Sequence, residues 1–279
     1  MTQTIEIGKI NKLLIDRITP PGIFLRDLDG KDVLLPNRYV TPQMQIFDTL
    51  DVFIYTDSED RIVATTETPK AYADEFGVFK VVGVSNFGAF VDIGLQKDIL
   101  VPKNRQKSQF EIGDTKILRI LVDEKSGRLT GDERLGKYFE EPTSLEVGQP
   151  VDLIVYAKSP LGFKVIINKK YEGLIFANEV FGQIKTADKL NGFVKNITKE
   201  GKIDIALQPN KGAKKDFASQ KVLEMFEKNN SDTLPFTYKS DADNIGNFFG
   251  ISKKAFKAAL TLLIESKEII LEEKQIRKV

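Results

Sequence analysis

The sequence predicts a mainly β chain, three small five-stranded barrels in tandem, closed by an α+β unit at its C-terminal end. Three observations carry that expectation. Gly22, Gly88 and Gly162 each open a strand, in GIFLRDL, GAFVDIG and GFKVIIN, and a second apolar strand ends 14 residues later each time, at Pro36, Pro102 and Phe176. A further 25 or 26 residues on, a cation opens another strand: Arg61 in DRIVAT, Arg128 in GRLTG and Lys202 in GKIDIAL. After ALQPNKGAKKD the apolar period changes from that of a strand to that of a helix.

The remaining strands fall between these markers. Each copy begins with one (IEIGKINKLLI, FKVVGVSN, QPVDLIVYAKS) and has another ahead of its cation (LDVFIYTD, TKILRILVDE, LNGFVKNITKE). Five strands in about 60 residues, with turns rich in Gly, Asp and Lys, fit a small closed barrel better than a sandwich. Proline, small residues and charge interrupt the pattern at TTETPKAYADE and at GKYFEEPTSLE, which places the domains at 1–66, 67–142, 143–210 and 211–279. A period of 66 and then 74 residues is too long for a solenoid unit. Each barrel is therefore expected to have its own modest core.

In the last segment Ala218, Val222, Met225 and Phe226 make one apolar stripe of a helix that ends at Asn229 and Asn230. TLPFT reads as a short strand, and DADNIGNFFG as a short helix closing on Gly250. Ser252 caps a longer helix, SKKAFKAALTLLIESK, with Phe256, Ala259, Leu260, Leu263 and Ile264 facing inward. EIIL and QIRKV finish the chain as a hairpin. Helix, strand, helix, tight turn, helix, hairpin is the order of a winged helix, in which Lys253, Lys254, Lys257, Arg277 and Lys278 suit phosphate contact.

Composition narrows the chemistry. A chain of 279 residues, 41% hydrophobic and 29% charged, is ordinary for a folded globular protein of several domains. It has no cysteine and no histidine, which removes thiol nucleophiles, the commonest general base and the commonest zinc ligands. The scattered carboxylates Asp57, Glu59 and Asp60 in TDSEDR, and Asp241 and Asp243 in SDADN, read as solvated turns. No enzyme activity, cofactor or metal site is expected. No apolar run approaches the ~20 residues that cross a bilayer, and MTQTIEIGKI lacks the segments of a secretory signal. The cytoplasm is the expected compartment, with no membrane partner. The net charge of +1 is unevenly spread: Lys and Arg number 7 against 10 acids in 1–66, but 13 against 10 in 211–279.

One stretch carries the first functional signal. In VSNFGAFVDIG, Ala89, Val91 and Ile93 share one parity while Phe90 and Asp92 share the other. If the aliphatic residues line a core, Phe90 stands outside with a carboxylate. Gly88 permits a bulge that would swing Phe87 round to join it.

FGAFVDIG, followed by ILVP and then GRL, resembles the RNA-binding domain named after ribosomal protein S1, a five-stranded barrel of the oligonucleotide-binding (OB) type. The resemblance implies a nucleic-acid face on the second and third strands, with Phe87 and Phe90 as stacking rings and Arg128 nearby. A histidine is usual on the third strand of that family; this chain has Pro102.

The copies differ at these positions. Phe90 corresponds to Phe24 in the first copy and Lys164 in the third, and Phe87 to Pro21 and Leu161. In the third copy Phe176 takes the place of Pro102, with Lys164, Lys169, Lys170, Lys195 and Lys202 supplying charge and Arg61 the corresponding cation of the first. Rings gain about 1 to 3 kcal/mol per stacked base whatever the sequence, and cations track phosphates, so such faces favour single strands.

Three such barrels followed by FFGISKKAFKAAL as a helix-turn-helix are similar, over essentially the whole chain, to the conserved virulence factor B family of bacterial RNA-binding proteins. That resemblance implies a post-transcriptional regulator that binds single-stranded RNA, with messenger RNA or the ribosome as its setting. Two other readings stand beside it: a winged-helix transcription regulator on duplex DNA, and a ribosome-associated protein-interaction scaffold. The helix from Ser252 to Lys267 exposes lysines but no Arg, Asn or Gln for base readout, which weakens the first of these.

Overall fold

The computed structural model describes residues 4–180, 182–209 and 214–279; the linker expected around ALQPNKGAKKD lies partly outside them. The first barrel comprises β1 (Ile10–Thr19), β2 (Gly22–Arg26), β3 (Asp32–Pro36), β4 (Thr49–Thr56) and β5 (Ile62–Thr65). The second comprises β6 (Phe76–Val84), β7 (Gly88–Asp92), β8 (Ile99–Pro102), β9 (Thr115–Val122) and β10 (Leu129–Asp132). The third comprises β11 (Pro150–Ser159), β12 (Gly162–Ile167), β13 (Tyr171–Phe176), β14 (Lys189–Ile197) and β15 (Ile203–Ala206). In each, the first strand pairs with the second and fourth, and the third runs parallel to the fifth, which closes the sheet.

The recurring glycines have a common cause. Gly22, Gly88 and Gly162 pair directly with Pro36, Pro102 and Phe176 at the ends of the third strands. A Cβ added at these glycines would lie 2.1, 2.2 and 2.1 Å from the carbonyl oxygens of Leu35, Val101 and Ile175. Strands that close cannot admit any side chain there. The 14-residue spacing is thus the length of one hairpin, fixed by that close approach.

Gly88 is nevertheless not a bulge: the register from Gly88 with Pro102 to Val91 with Ile99 is unshifted. The extra residue sits in the first strand of each barrel, at Asp16, Val82 and Tyr156. Such an extra residue bends a strand that must curl round a small barrel.

Residues 1–139 form one compact unit and 140–279 another. Within the first unit each barrel has a core, as expected, but part of the first barrel packs into that of the second. The first barrel has a core of its own around Leu13, Ile15, Ile23, Leu25 and Ile54. Its Phe53, Tyr55 and Val63 instead join the core of the second barrel, with Ala71 and Ala73 of the connecting segment between them. Burial of two aromatic rings across that junction makes the two barrels one packed body.

In the second unit the third barrel and the C-terminal domain keep separate cores. The latter contains α1 (Lys214–Lys228), β16 (Thr233–Leu234), α2 (Ala242–Phe249), α3 (Lys253–Glu265), β17 (Ile269–Leu271) and β18 (Ile276–Lys278), the order of a winged helix. Asp241 is not a free turn carboxylate but the N-cap of α2, accepting from the backbone of Asp243 and Asn244 at 2.9 and 3.3 Å. Gly250 closes that helix in the left-handed region, and the Ser252 hydroxyl caps α3. Phe256, Ala259, Leu260 and Leu263 are buried, while Ile264 and Met225 are half-buried at the edge of the core. No helix among the described residues is long and apolar enough to cross a membrane.

Candidate nucleic-acid interface

On the second barrel, strand parity sends Ala89, Val91 and Val101 inward and turns Phe90, Leu100 and Pro102 outward. Phe90 is 37% exposed and Phe87 is 77% exposed. Phe87 reaches the surface by a different route from the one expected. It sits at the tip of the β6–β7 turn, where the Ser85 amide donates to the Gly88 carbonyl and the Phe87 amide donates to the Ser85 hydroxyl. The turn, not a bulge, projects the ring.

Phe87, Phe90 and Arg128 converge on a cleft of about 520 Å³. Leu100, Pro102 and Leu129 supply more of its apolar surface, and Tyr55 and Thr56 of the first barrel close one side. Sequence reasoning missed this last contribution. TDSEDR, expected to be a solvated turn, is tied to the second barrel: Lys97 Nζ donates to the carbonyls of Thr56, at 3.1 Å, and Asp57, and Asp60 pairs with Arg128. Burial, then the nearby Arg128, pushes the Lys97 ammonium below its ordinary pKa. Burial pushes the Tyr55 hydroxyl up to about 12, so it stays protonated as a donor.

Gly83 flanks Phe90 on the β6 side, away from the other residues that line the cleft. Gly83 stands opposite Phe90 in the β6–β7 pairing, and a Cβ there would lie 3.6 Å from the Phe90 side chain. Without a side chain at that position, the ring is left uncovered. The first barrel puts Arg17 in the same place, opposite Phe24. Its guanidinium lies 4.2 Å from the centre of the Phe24 ring, held by Asp16 at 2.6 Å and Asp32 at 2.7 Å. Phe24 is a half-buried ring with an occupied face. Arg61 is likewise engaged, by Asp57 and Glu59.

The third barrel places Lys164 near Phe176, opposite Leu174 two residues before it, but not Lys169 and Lys170. Phe176 is half-buried at the end of β13 paired with Gly162, while Lys169 and Lys170 lie on the turn at the other end of that hairpin. Lys170 is 3.7 Å from Glu140, Lys195 is 2.6 Å from Glu179, and Lys164 is 3.1 Å from Glu172, which also accepts from the Tyr156 hydroxyl. Lys202 is exposed on the turn before β15 and makes no ion pair among the described residues.

On the winged helix, Lys254 and Lys257 are exposed and free of carboxylate partners among the described residues; Lys253 is half-buried at the start of α3. Arg277 pairs with Glu272 at 2.9 Å and Lys278 with Glu227 at 3.5 Å.

Comparison with known proteins agrees with this architecture. Residues 7–67 match the S1 domain, 80–170 the S1 RNA binding domain and 220–277 the CvfB-like winged helix domain. The uncharacterized protein YitL of Bacillus subtilis is 29% identical over 275 residues, covering 95% of this chain and 91% of that protein. Conserved virulence factor B of Staphylococcus epidermidis is 21% identical, covering 97% and 94%, and that of Staphylococcus aureus 21%, covering 97% and 93%. A crystal structure of a multidomain protein with nucleic acid binding domains from Streptococcus pneumoniae is 25% identical and covers 98% of both chains at a TM-score of 0.42.

Proposed function

Since the chain belongs to the conserved virulence factor B family, with S1 domains followed by a CvfB-like winged helix, we propose that it is a non-catalytic binder of single-stranded RNA that regulates gene expression after transcription. The observation that supports this reading best is the meeting of Phe87 and Phe90, both exposed, with Arg128 in one open cleft. Rings held out by a β-surface give unpaired bases something to stack on, and bases in a duplex are not available to them. Lys254 and Lys257 on the winged helix, and Lys202 on the third barrel, are the cations left to meet phosphate elsewhere on the same strand. Several weak contacts on one chain reinforce each other through effective concentration.

Anisotropy titrations of labelled single-stranded RNA, single-stranded DNA and duplex DNA at two salt concentrations test the proposal. Binding should favour RNA single strands over duplex and weaken steeply with salt. Equal affinity for all three polymers overturns the reading.

A further inference from the structure

The polar groups that line the cleft are nearly all occupied. Lys97 is held by the carbonyls of Thr56 and Asp57, and Arg128 by Asp60. Asp123 accepts from the Ser126 amide and hydroxyl at 3.1 and 3.0 Å, and the Thr130 hydroxyl accepts from Arg105 at 2.5 Å. Asp98 differs. Its carboxylate lines the cleft and makes no hydrogen bond or ion pair among the described residues.

Its place beside the sheet says what it would meet. Leu100 is directly opposite Phe90, and Asp98 is exposed just ahead of β8, two residues before Leu100. A nucleobase lying on the Phe90 ring covers Leu100 and brings one edge to Asp98. A carboxylate at that end repels phosphate, so the backbone lies toward Arg128 and the base edge toward Asp98.

Two carboxylate oxygens ask for two adjacent donors. On its pairing edge adenine sets its amino group beside an acceptor nitrogen, as does cytosine, and uracil sets one N–H between two carbonyls. Guanine alone offers two neighbouring donors, N1–H and the N2 amino group. Building on the RNA-binding reading above, we propose that Asp98 makes the second-barrel cleft select guanine. Partial burial and the neighbouring Asp92 raise the exposed Asp98 carboxyl above its ordinary pKa, against the nearby Lys70, which lowers it. A base that cannot supply two such donors forgoes this charge-assisted pair, and that is where discrimination arises.

The test uses the full chain and labelled oligouridine hexamers whose central residue is guanosine, inosine, adenosine, cytidine or uridine. The guanosine hexamer should bind about tenfold more tightly than the uridine one, as expected for a hydrogen-bonded pair with a charged group. Inosine, which lacks the N2 amino group, should fall between. Asp98→Asn should bring guanosine binding down to the level of uridine measured with the same variant. Equal affinity for all five wild-type complexes overturns guanine selection while RNA binding stands. Guanine preference that persists in Asp98→Asn overturns the role of Asp98. Absence of binding to every hexamer overturns both this inference and the reading it rests on.

Discussion

Asp60 of the first barrel holds the guanidinium of Arg128 on the second, in the cleft that Phe87 and Phe90 line. The hydrogen bond from Arg128 holds the Asp60 carboxyl below its usual pKa. Phe53, Tyr55 and Val63, which flank the turn that carries Asp60, pack into the core of the second barrel. A phosphate that reaches Arg128 must therefore exchange with a carboxylate already in place. On the proposed RNA-binding reading, Asp60 would compete with phosphate for Arg128.

Asp60→Asn removes that competitor. Both partners are about half exposed, so the pair itself is a weak, solvent-screened contact. RNA affinity should rise by about threefold, and Arg128→Gln should lower it while reducing the slope of log affinity against log salt by about one. Titrations across a range of salt concentrations check both. A loss of affinity in Asp60→Asn equal to that in Arg128→Gln would mean that the pair orients the arginine rather than competes for it.

Phe90→Ala and Phe87→Ala should each weaken single-stranded RNA binding by roughly 5- to 100-fold, the range for one stacked base. Phe87 is mostly exposed, so its replacement should shift stability by less than about 0.5 kcal/mol. Phe24→Ala serves as the internal contrast. Its ring already carries Arg17, and RNA affinity should be unchanged. Comparable losses at Phe24 and Phe90 would mean that the first barrel binds as the second does.

The barrels were legible because closure imposes a local, repeated constraint. Gly22, Gly88 and Gly162 recur at a fixed distance from Pro36, Pro102 and Phe176 since each pair must nearly touch. Phe90 was legible because parity along one strand is a property of that strand alone. What lay beyond reach depends on a second element. The true bulge at Val82 is set by pairing with β7, next to Gly83 rather than at Gly88. TDSEDR looks like any acidic turn until the neighbouring barrel brings Lys97 and Arg128 to it. Lys169 and Lys170 are close to Lys164 in sequence, but a hairpin separates them from Phe176. The signal that could have been used was Gly83, a residue without a side chain in the middle of FKVVGVSN.

Gly83→Leu turns that signal into an experiment. A Cβ at position 83 would stand in ordinary contact with Phe90, so the substitution should fold while its side chain lies across the ring. The expected result is RNA affinity close to that of Phe90→Ala, with the thermal midpoint within a few degrees of wild type. Unchanged affinity would show that bases do not use the face of Phe90 that Gly83 leaves open.

The acid sensitivity of the second barrel should trace to Asp132. This carboxylate is fully buried at the end of β10, where Arg134 and Lys137 pair with it at 2.9 and 3.1 Å and the Tyr138 hydroxyl donates at 2.8 Å. Burial alone would raise its pKa, but the side-chain and backbone hydrogen bonds of Arg134, with Tyr138 and Lys137, outweigh burial and hold the carboxyl well below the usual range. A carboxyl with a depressed folded pKa contributes stability that is complete above its unfolded value, near 4, and drains away as pH falls below it. Asp132→Asn should cost on the order of 2 to 3 kcal/mol at pH 7, less than a fully enclosed ion pair because Arg134 and Lys137 are half exposed. Below about pH 4 the gap to wild type should narrow by up to about 1.4 kcal/mol per pH unit. Urea denaturation followed by circular dichroism, suited to a chain without tryptophan, measures both. A gap that stays constant from pH 7 to pH 3 would assign the loss to packing rather than to the ionised carboxylate.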